Sequence, residues 1–503
     1  MVVCPGTAAS GGLITWCTRC ASQKNGFRNA ALGRAGRSAA AAKRALDTGC
    51  GKWSAWAMKT TMTNQVFSPS RRVLLAGLGG AAVASALRLP AFAQGKASAQ
   101  TGAAVALRAR PAAAMLGAGL PKSQIWALES GAPGPLRFPK GDLAVTLSNE
   151  LSAPTVLNWL GIDGAQAASP LTGQAPVPPG GRATFTVSLR QSGTCLVNAQ
   201  LGETSGLPAA ARALIVEDSP PVAVDRDDVL LIEEWRVKPD GSAILPGTSP
   251  DGTIPAYTVN GQPSLDITAR VNERLRLRFI NGGARSPIGL RIENHDVRVM
   301  AIDGAPAEPF AARDGQLVLA PGSRIDAFID ATRAPGTISK IILHDGTGPR
   351  TIAQITMSND APVRAAPLPP ADALPPGNLP ARLNLQGALR SDLSLDPKAQ
   401  WVTPAGFSAA TPAAYAVKRG RTVVMAISNP TATPIAFRLH GHHFRLLDRL
   451  DDGWKPFWLD TLMLDKGQTQ RIAFLAEYPG RWLMEATAIN WAAPKLVRSY
   501  AVE

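Results

Sequence analysis

The sequence predicts an all-β chain built from three tandem β-sandwich domains, on three observations. Its 503 residues include 47 glycines and 42 prolines, with 18% charged and 45% apolar side chains, a composition of short strands and tight turns. A strand pattern ending in asparagine recurs at Gly141–Asn149, Glu273–Asn281 and Gly420–Asn429. Two more signals keep step with it. One is a turn at Pro179-Gly180, Pro321-Gly322 and Lys466-Gly467; the other is a glycine-led strand at Gly193, Gly336 and Gly480, spaced 143 and 144 residues apart. Signals that march together at so long a period imply homologous domains rather than a short-repeat solenoid.

From the start of the chain, residues 1–61 are rich in Ala, Gly and Arg without periodicity, and they hold Cys4, Cys17, Cys20 and Cys50. Cys17-x-x-Cys20 is half of a zinc pattern whose second half is missing. The segment reads as a disordered extension or as an early start, with Met58 or Met62 as alternative initiators. Over residues 62–93, Ser70-Arg71-Arg72-Val73-Leu74-Leu75, an apolar run to Leu87 and Ala91-Phe92-Ala93 read as a twin-arginine export signal cleaved after Ala93. That run contains Gly77, Gly79 and Gly80 and falls short of the roughly 20 residues a span needs, so no transmembrane segment is expected in the mature chain. The periplasm is the expected location, reached through the twin-arginine translocase.

The formal charge of +15 belongs mostly to this leader. Residues 1–94 carry twelve Lys/Arg and one acid, Asp47, leaving 40 basic and 36 acidic residues beyond them. A nearly balanced mature chain has no electrostatic footprint for nucleic acid. Cys195 is the one cysteine left after processing, so no disulfide framework supports the fold. It reads as a small buried filler.

The first domain spans residues 105–219 and ends at the Ser219-Pro220-Pro221 break; the second spans 220–358. A linker at 359–383, with Pro362, Pro367, Pro369, Pro370, Pro375, Pro376 and Pro380, reads as extended and semi-rigid before the third domain at 384–503. Glu273–Asn281 alternates with period two, which predicts a half-buried strand.

Leu439-His440-Gly441-His442-His443-Phe444 holds three of the five histidines. On a strand, His440 and His442 share one face as candidate metal ligands and His443 takes the other. His295 and His344 read as structural or surface histidines.

Four stretches resemble the copper motifs of the multicopper oxidase family: Pro154–Gly161, Gln191–Gln200, Leu439–Phe444 and Gly480–Thr487. Asp225–Trp235, Val259-Asn260-Gly261 and Ala301–Gly304 also match, and the resemblance covers residues 105–503. It implies cupredoxin-like Greek-key β-sandwich domains, with copper as the family's cofactor. A type 1 copper takes two imidazoles and a thiolate. At the positions the resemblance assigns to them stand Ile435, Ala486 and Trp491. The eight histidine positions of the family's three-copper site read Asn158, Leu160, Asn198, Gln200, Arg438, His440, Glu485 and Thr487. One of the eight is histidine, and Arg438 adds a fixed positive charge where cations would sit.

The expectation is therefore no bound cofactor and no catalytic residue, with an Arg438–Glu485 ion pair in place of the metal. The resemblance implies a copper-free exported protein, similar to the relative that stabilises the division machinery. Such a protein would act as a periplasmic binding or scaffold protein with a protein partner, in cell division or envelope stress. Two alternatives stand beside it. One is a copper-binding oxidoreductase keeping a residual site at His440 and His442; the other gives Glu485 and His440 acid–base work.

Overall fold

The computed structural model describes residues 102–202, 205–448 and 453–503. The extension and export signal read at residues 1–93 lie outside the described residues. From Ala103 to Val502 the chain forms three sandwiches of two sheets each, the expected all-β architecture. In each unit an early strand runs parallel to the asparagine-ended strand, which pairs antiparallel with the strand after the glycine turn. The strands are Ala103–Ala114, Gly141–Asn149 and Arg182–Leu189 in the first unit. In the second they are Arg226–Val237, Glu273–Asn281 and Arg324–Ala331. In the third they are Leu389–Ser394, Thr422–Ser428 and Thr469–Leu475. The glycine-led strands Gly193–Asn198, Ile338–His344 and Gly480–Ala488 lie inside the facing sheets.

The repeated asparagines have a common job. Asn149, Asn281 and Asn429 are all buried. Each donates its side-chain amide to two or more backbone carbonyls: Ala153 and Val177, Ser286 and Leu319, and Thr433, Leu464 and Asp465. Each also accepts the N–H two residues on, from Leu151, Gly283 and Thr431. Its own carbonyl accepts the N–H of the turn glycine, Gly180, Gly322 or Gly467, at 2.7–2.8 Å. Those glycines take φ of +70°, +82° and +70°, a region that favours glycine. The asparagine thus satisfies the polar groups of a buried strand end, which would otherwise be orphaned.

Alternation then builds the cores. Leu143, Val145 and Leu147 point inward from Gly141–Asn149 to meet Trp126, Val187 and Leu214. Leu277, Phe279, Ile325 and Ile341 fill the second core; Met425, Phe437, Phe474 and Tyr500 fill the third. Full burial of such side chains stabilises by about 1.5–3 kcal/mol each.

One strand departs from expectation. Glu273–Asn281 is buried along its whole length rather than half-buried. Its polar face, Arg274, Arg276 and Arg278, meets carboxylates instead of water. Arg274 pairs with Asp330, Arg276 with Asp218 and Asp326, and Arg278 with Asp227 and Asp326. Thr194 of the first sandwich donates to Asp326 at 2.6 Å, so this charged face is an interdomain seam.

The proline-rich segment runs without strands between Met357 and Leu389 and docks along the second sandwich. Arg270 donates to Ala361 O, Asn272 to Arg364 O and Arg274 to Pro369 O, while Leu374 packs beside Met300 and Phe328. Among the described residues no helix is long and apolar enough to cross a membrane.

Candidate functional site

The strand Ile435–Leu439 stops one residue before the histidine cluster. Gly441 takes φ +78°, and a Cβ there would lie 2.3 Å from the Trp482 ring, so the chain bends where a strand was expected. The bend separates the three histidines. His440 and His442 do not share a metal-facing surface.

His440 places Nε2 2.5 Å from Glu485 Oε1. His442 turns into the third core against Phe474, Tyr478, Trp482 and Tyr500. Both its nitrogens are committed. The Tyr478 N–H donates to Nε2 at 3.1 Å, so Nδ1 carries the proton and donates to the Tyr500 hydroxyl at 2.7 Å; that hydroxyl in turn donates to His440 O at 2.6 Å. Burial pushes His442 down to about 4, a neutral ring at physiological pH. Tyr500→Phe strands a buried imidazole N–H, and urea unfolding should register a loss of about 1–3 kcal/mol.

His443 takes a third environment. Nδ1 donates to Asp163 Oδ2 at 2.8 Å and Nε2 to Asp303 O at 2.9 Å, so the ring is an imidazolium with both protons used. Burial opposes that charge, but Asp163 outweighs it and His443 is raised to about 9. Beside it, Arg324 makes a two-pronged pair with Asp460 at 2.8 and 3.0 Å and donates to Gly322 O, Asp303 O and Thr194 O. Against a burial that would raise it, Arg324 holds Asp460 at about 2. This junction joins the three sandwiches through Asp163, Asp303 with Arg324, and His443 with Asp460. None of these roles was expected from sequence, since each partner is remote in the chain and no local pattern marks it.

Of the other positions singled out in the sequence, Asn158 and Arg438 reach Glu485 directly. Asn158 donates to Glu485 Oε1 at 2.9 Å, and Arg438 stands 3.5 Å from Glu485 Oε2. Arg438 and Glu485 are cross-strand neighbours within one sheet, so their pair does not itself bridge domains. The bridges are Asn158, from the first sandwich, and the Arg438 bond to Pro321 O of the second at 2.7 Å. Lys495, which the sequence reading missed, donates to Glu485 Oε2 at 3.0 Å and Gln200 Oε1 at 2.9 Å. Burial alone would raise Glu485, yet Lys495, Arg438 and His440 hold it well below the carboxylate range. Burial in turn lowers Lys495 to about 8.

Asn198 accepts the Gln200 N–H, and Thr487 lies across the sheet from Ala436. Asn198, Gln200, Arg438, Thr487 and Lys495 enclose a cavity of about 10 Å³, room for no more than one water. Leu160 packs into the interdomain apolar cluster with Leu196 and Ile280. Ile435 and Ala486 are core residues of the third sandwich, while Trp491 lies apart with its Nε1 donating to Leu245 O.

Cys195 is buried, its thiol facing Gly161 O at 3.6 Å and pushed up to about 12 by burial. His295 is buried with Nδ1 on Glu293 O, and His344 is exposed at a strand end. Among the described residues no group of three His, Cys, Asp or Glu side chains converges as a metal site.

Family descriptions reading "Multicopper oxidase" match residues 113–220, 228–339 and 376–503. Multicopper oxidase MmcO of Mycobacterium tuberculosis is 24% identical over 411 residues, 70% of this chain and 78% of that protein. Laccase-3 of Thanatephorus cucumeris is 28% identical over 240 residues, 42% of each. Among solved structures, a multi-copper oxidase from Pseudomonas thermotolerans aligns with a TM-score of 0.67 at 25% identity, over 80% of this chain and 99% of that one. Lac15 from a marine microbial metagenome aligns at 0.66 and 24%, over 79% and 100%. The solved relatives place the three sandwiches among cupredoxin-type folds.

Proposed function

The chain belongs to the multicopper oxidase family, and we propose that it is a copper-free member that works by binding rather than by oxidation. Glu485 carries this reading: the carboxylate is held by Lys495 at 3.0 Å, His440 at 2.5 Å and Arg438 at 3.5 Å. The family binds copper, and its copper centres are built on imidazole and thiolate donors. Here His440 Nε2 is turned to Glu485, both His442 nitrogens are in use, and Cys195 lies in the first sandwich. Arg438 and Lys495 add two positive charges to the same few ångströms. These residues do not fit a copper centre.

Acid–base work by Glu485 and His440 is disfavoured by access. Glu485 is fully buried, and a cavity of about 10 Å³ admits no substrate. The reading that remains is an exported binding or scaffold protein of the periplasm, engaging a protein partner in cell division or envelope stress.

Purified mature protein, incubated with cupric and cuprous ions and then desalted, should hold well under one copper per chain. It should show no blue thiolate–copper absorption and no turnover of phenols or cuprous ion. Stoichiometric copper with oxidase turnover would overturn the copper-free reading in favour of the oxidoreductase. Crosslinking in cells followed by purification should capture a periplasmic partner; repeated capture of none sinks the scaffold role.

A further inference from the structure

Between Met357 and Leu389 the proline-rich segment forms neither strand nor helix, yet the conformation of residues 366–376 is set by covalent geometry. Proline fixes its own φ at about −65° and drives the residue before it into the extended region, and the two together select the polyproline II helix. Pro367, Pro369, Pro370, Pro375 and Pro376, with the residues that precede them, account for eight of these eleven positions.

Burial repeats with the period of that helix, three residues per turn. Leu368, Ala371 and Leu374 are covered. The pairs on either side of them, Ala366-Pro367, Pro369-Pro370, Asp372-Ala373 and Pro375-Pro376, are exposed. The covered row is an anchor. Leu374 and Ala371 pack with Val222, Met300 and Phe328, and Arg274 donates to Leu368 O and Pro369 O at 3.4 and 2.7 Å. The outer rows are unused. Among the described residues no backbone N–H of 364–376 donates a hydrogen bond to another backbone group, and none from the backbone reaches the carbonyls of 370–376. Proline stiffens a linker at any position of the turn, but here all five prolines of 366–376 stand in the exposed rows and none in the covered one.

We propose that this segment is a preformed polyproline II ligand, its exposed proline pairs seated by a partner protein in a groove walled by aromatic side chains. Such grooves recognise proline-rich segments in this conformation, and the helix leaves its backbone carbonyls free to accept hydrogen bonds from them. Pro367, Pro370 and Pro376 fall on one exposed row at whole turns, and Pro369 and Pro375 fall on the other, over a length of roughly 30 Å. Because the helix is already held against the second sandwich, binding loses little conformational freedom. Asp372 is the one ionised side chain of 366–376, so the groove that fits it carries a single facing cation rather than a charged lining. The proposal rests on the binding-protein reading and deepens it by naming where the partner docks and by what chemistry.

The test places the photoreactive residue p-benzoylphenylalanine at Ala373 of the full-length protein in cells, with the exposed Ile338 of the same sandwich as control position. Irradiation is expected to join position 373, and not 338, to one protein, at a peptide bearing tryptophan or tyrosine. In extracts, a synthetic peptide of residues 364–378 should cut the yield at least tenfold, and the same peptide with glycine for every proline should not. Pro367→Ala, Pro370→Ala and Pro376→Ala combined should also cut it at least tenfold while thermal unfolding stays cooperative, because that row is exposed. The peptide competition carries the test if the triple variant does not fold. Equal crosslinking from both positions, capture that survives the three alanines in a folded variant, or competition by the glycine peptide overturns the proposal. A partner caught by general crosslinking but never from position 373 sinks the proline ridge alone. Capture of none by either route sinks the reading above with it, and stoichiometric copper with oxidase turnover sinks that reading whatever position 373 captures.

Discussion

Glu485→Gln should lower the free energy of unfolding by about 3–5 kcal/mol, the usual result of removing one partner from a buried charge cluster. The substitution keeps the shape and removes the one negative charge that Lys495 and Arg438 share. Two cations then face each other in a cavity of about 10 Å³ with no room for a hydration shell. Adding Lys495→Met should recover part of the loss, because the double variant buries one uncompensated cation rather than two. Denaturant unfolding of the parent, both single variants and the double closes the cycle. Strict additivity would defeat this account, since groups that neutralise one another cannot contribute independently.

The second large effect depends on pH. His443 is raised to about 9 in the folded chain by Asp163, against about 6.5 when unfolded. The native state therefore binds more protons than the unfolded state between those values, and stability falls as pH rises through them. The contribution is complete below about pH 6.5 and gone above about 9, a change on the order of 3 kcal/mol. Lys495 has the opposite sign: lowered to about 8, it adds stability as pH climbs from there toward 10.4 or so. The readout is accordingly the difference between parent and His443→Gln, in which Lys495 cancels. That difference should favour the parent at pH 6 and shrink toward pH 10. A pH-independent difference would show that His443 is not held as an imidazolium by Asp163.

What could be read from the sequence was what the chain writes locally. The asparagine-ended strand and the glycine turn lie within one unit, and each signal is answered by a bond between those two residues. The Arg438–Glu485 contact was foreseen because motif alignment set both at one site. Lys495 was not, since a lysine opening the last strand looks like any solvated charge. The Asp163–His443 and Arg324–Asp460 contacts span 280 and 136 residues, so no window of sequence holds both partners. The same blindness made Glu273–Asn281 look half-exposed: period two reports polarity, and a polar face can be covered by carboxylates as well as by water. The histidine cluster failed for a smaller reason, one glycine at φ +78° that turned a presumed strand into a bend.

The three arginines of that middle strand also bear on how a threefold repeat avoids assembling wrongly. Tandem copies with the same turns and the same strand order can trade strands while folding, a known hazard of repeated domains. Gly141–Asn149 and Thr422–Ser428 carry no arginine, whereas Glu273–Asn281 carries Arg274, Arg276 and Arg278 against Asp330, Asp326, Asp218 and Asp227. Lodged in either neighbouring sandwich, that strand would leave Asp227, Asp326 and Asp330 behind and bury its guanidinium groups without them. The arginine row thus works as an address, admitting the middle strand to one sandwich and barring it from the other two.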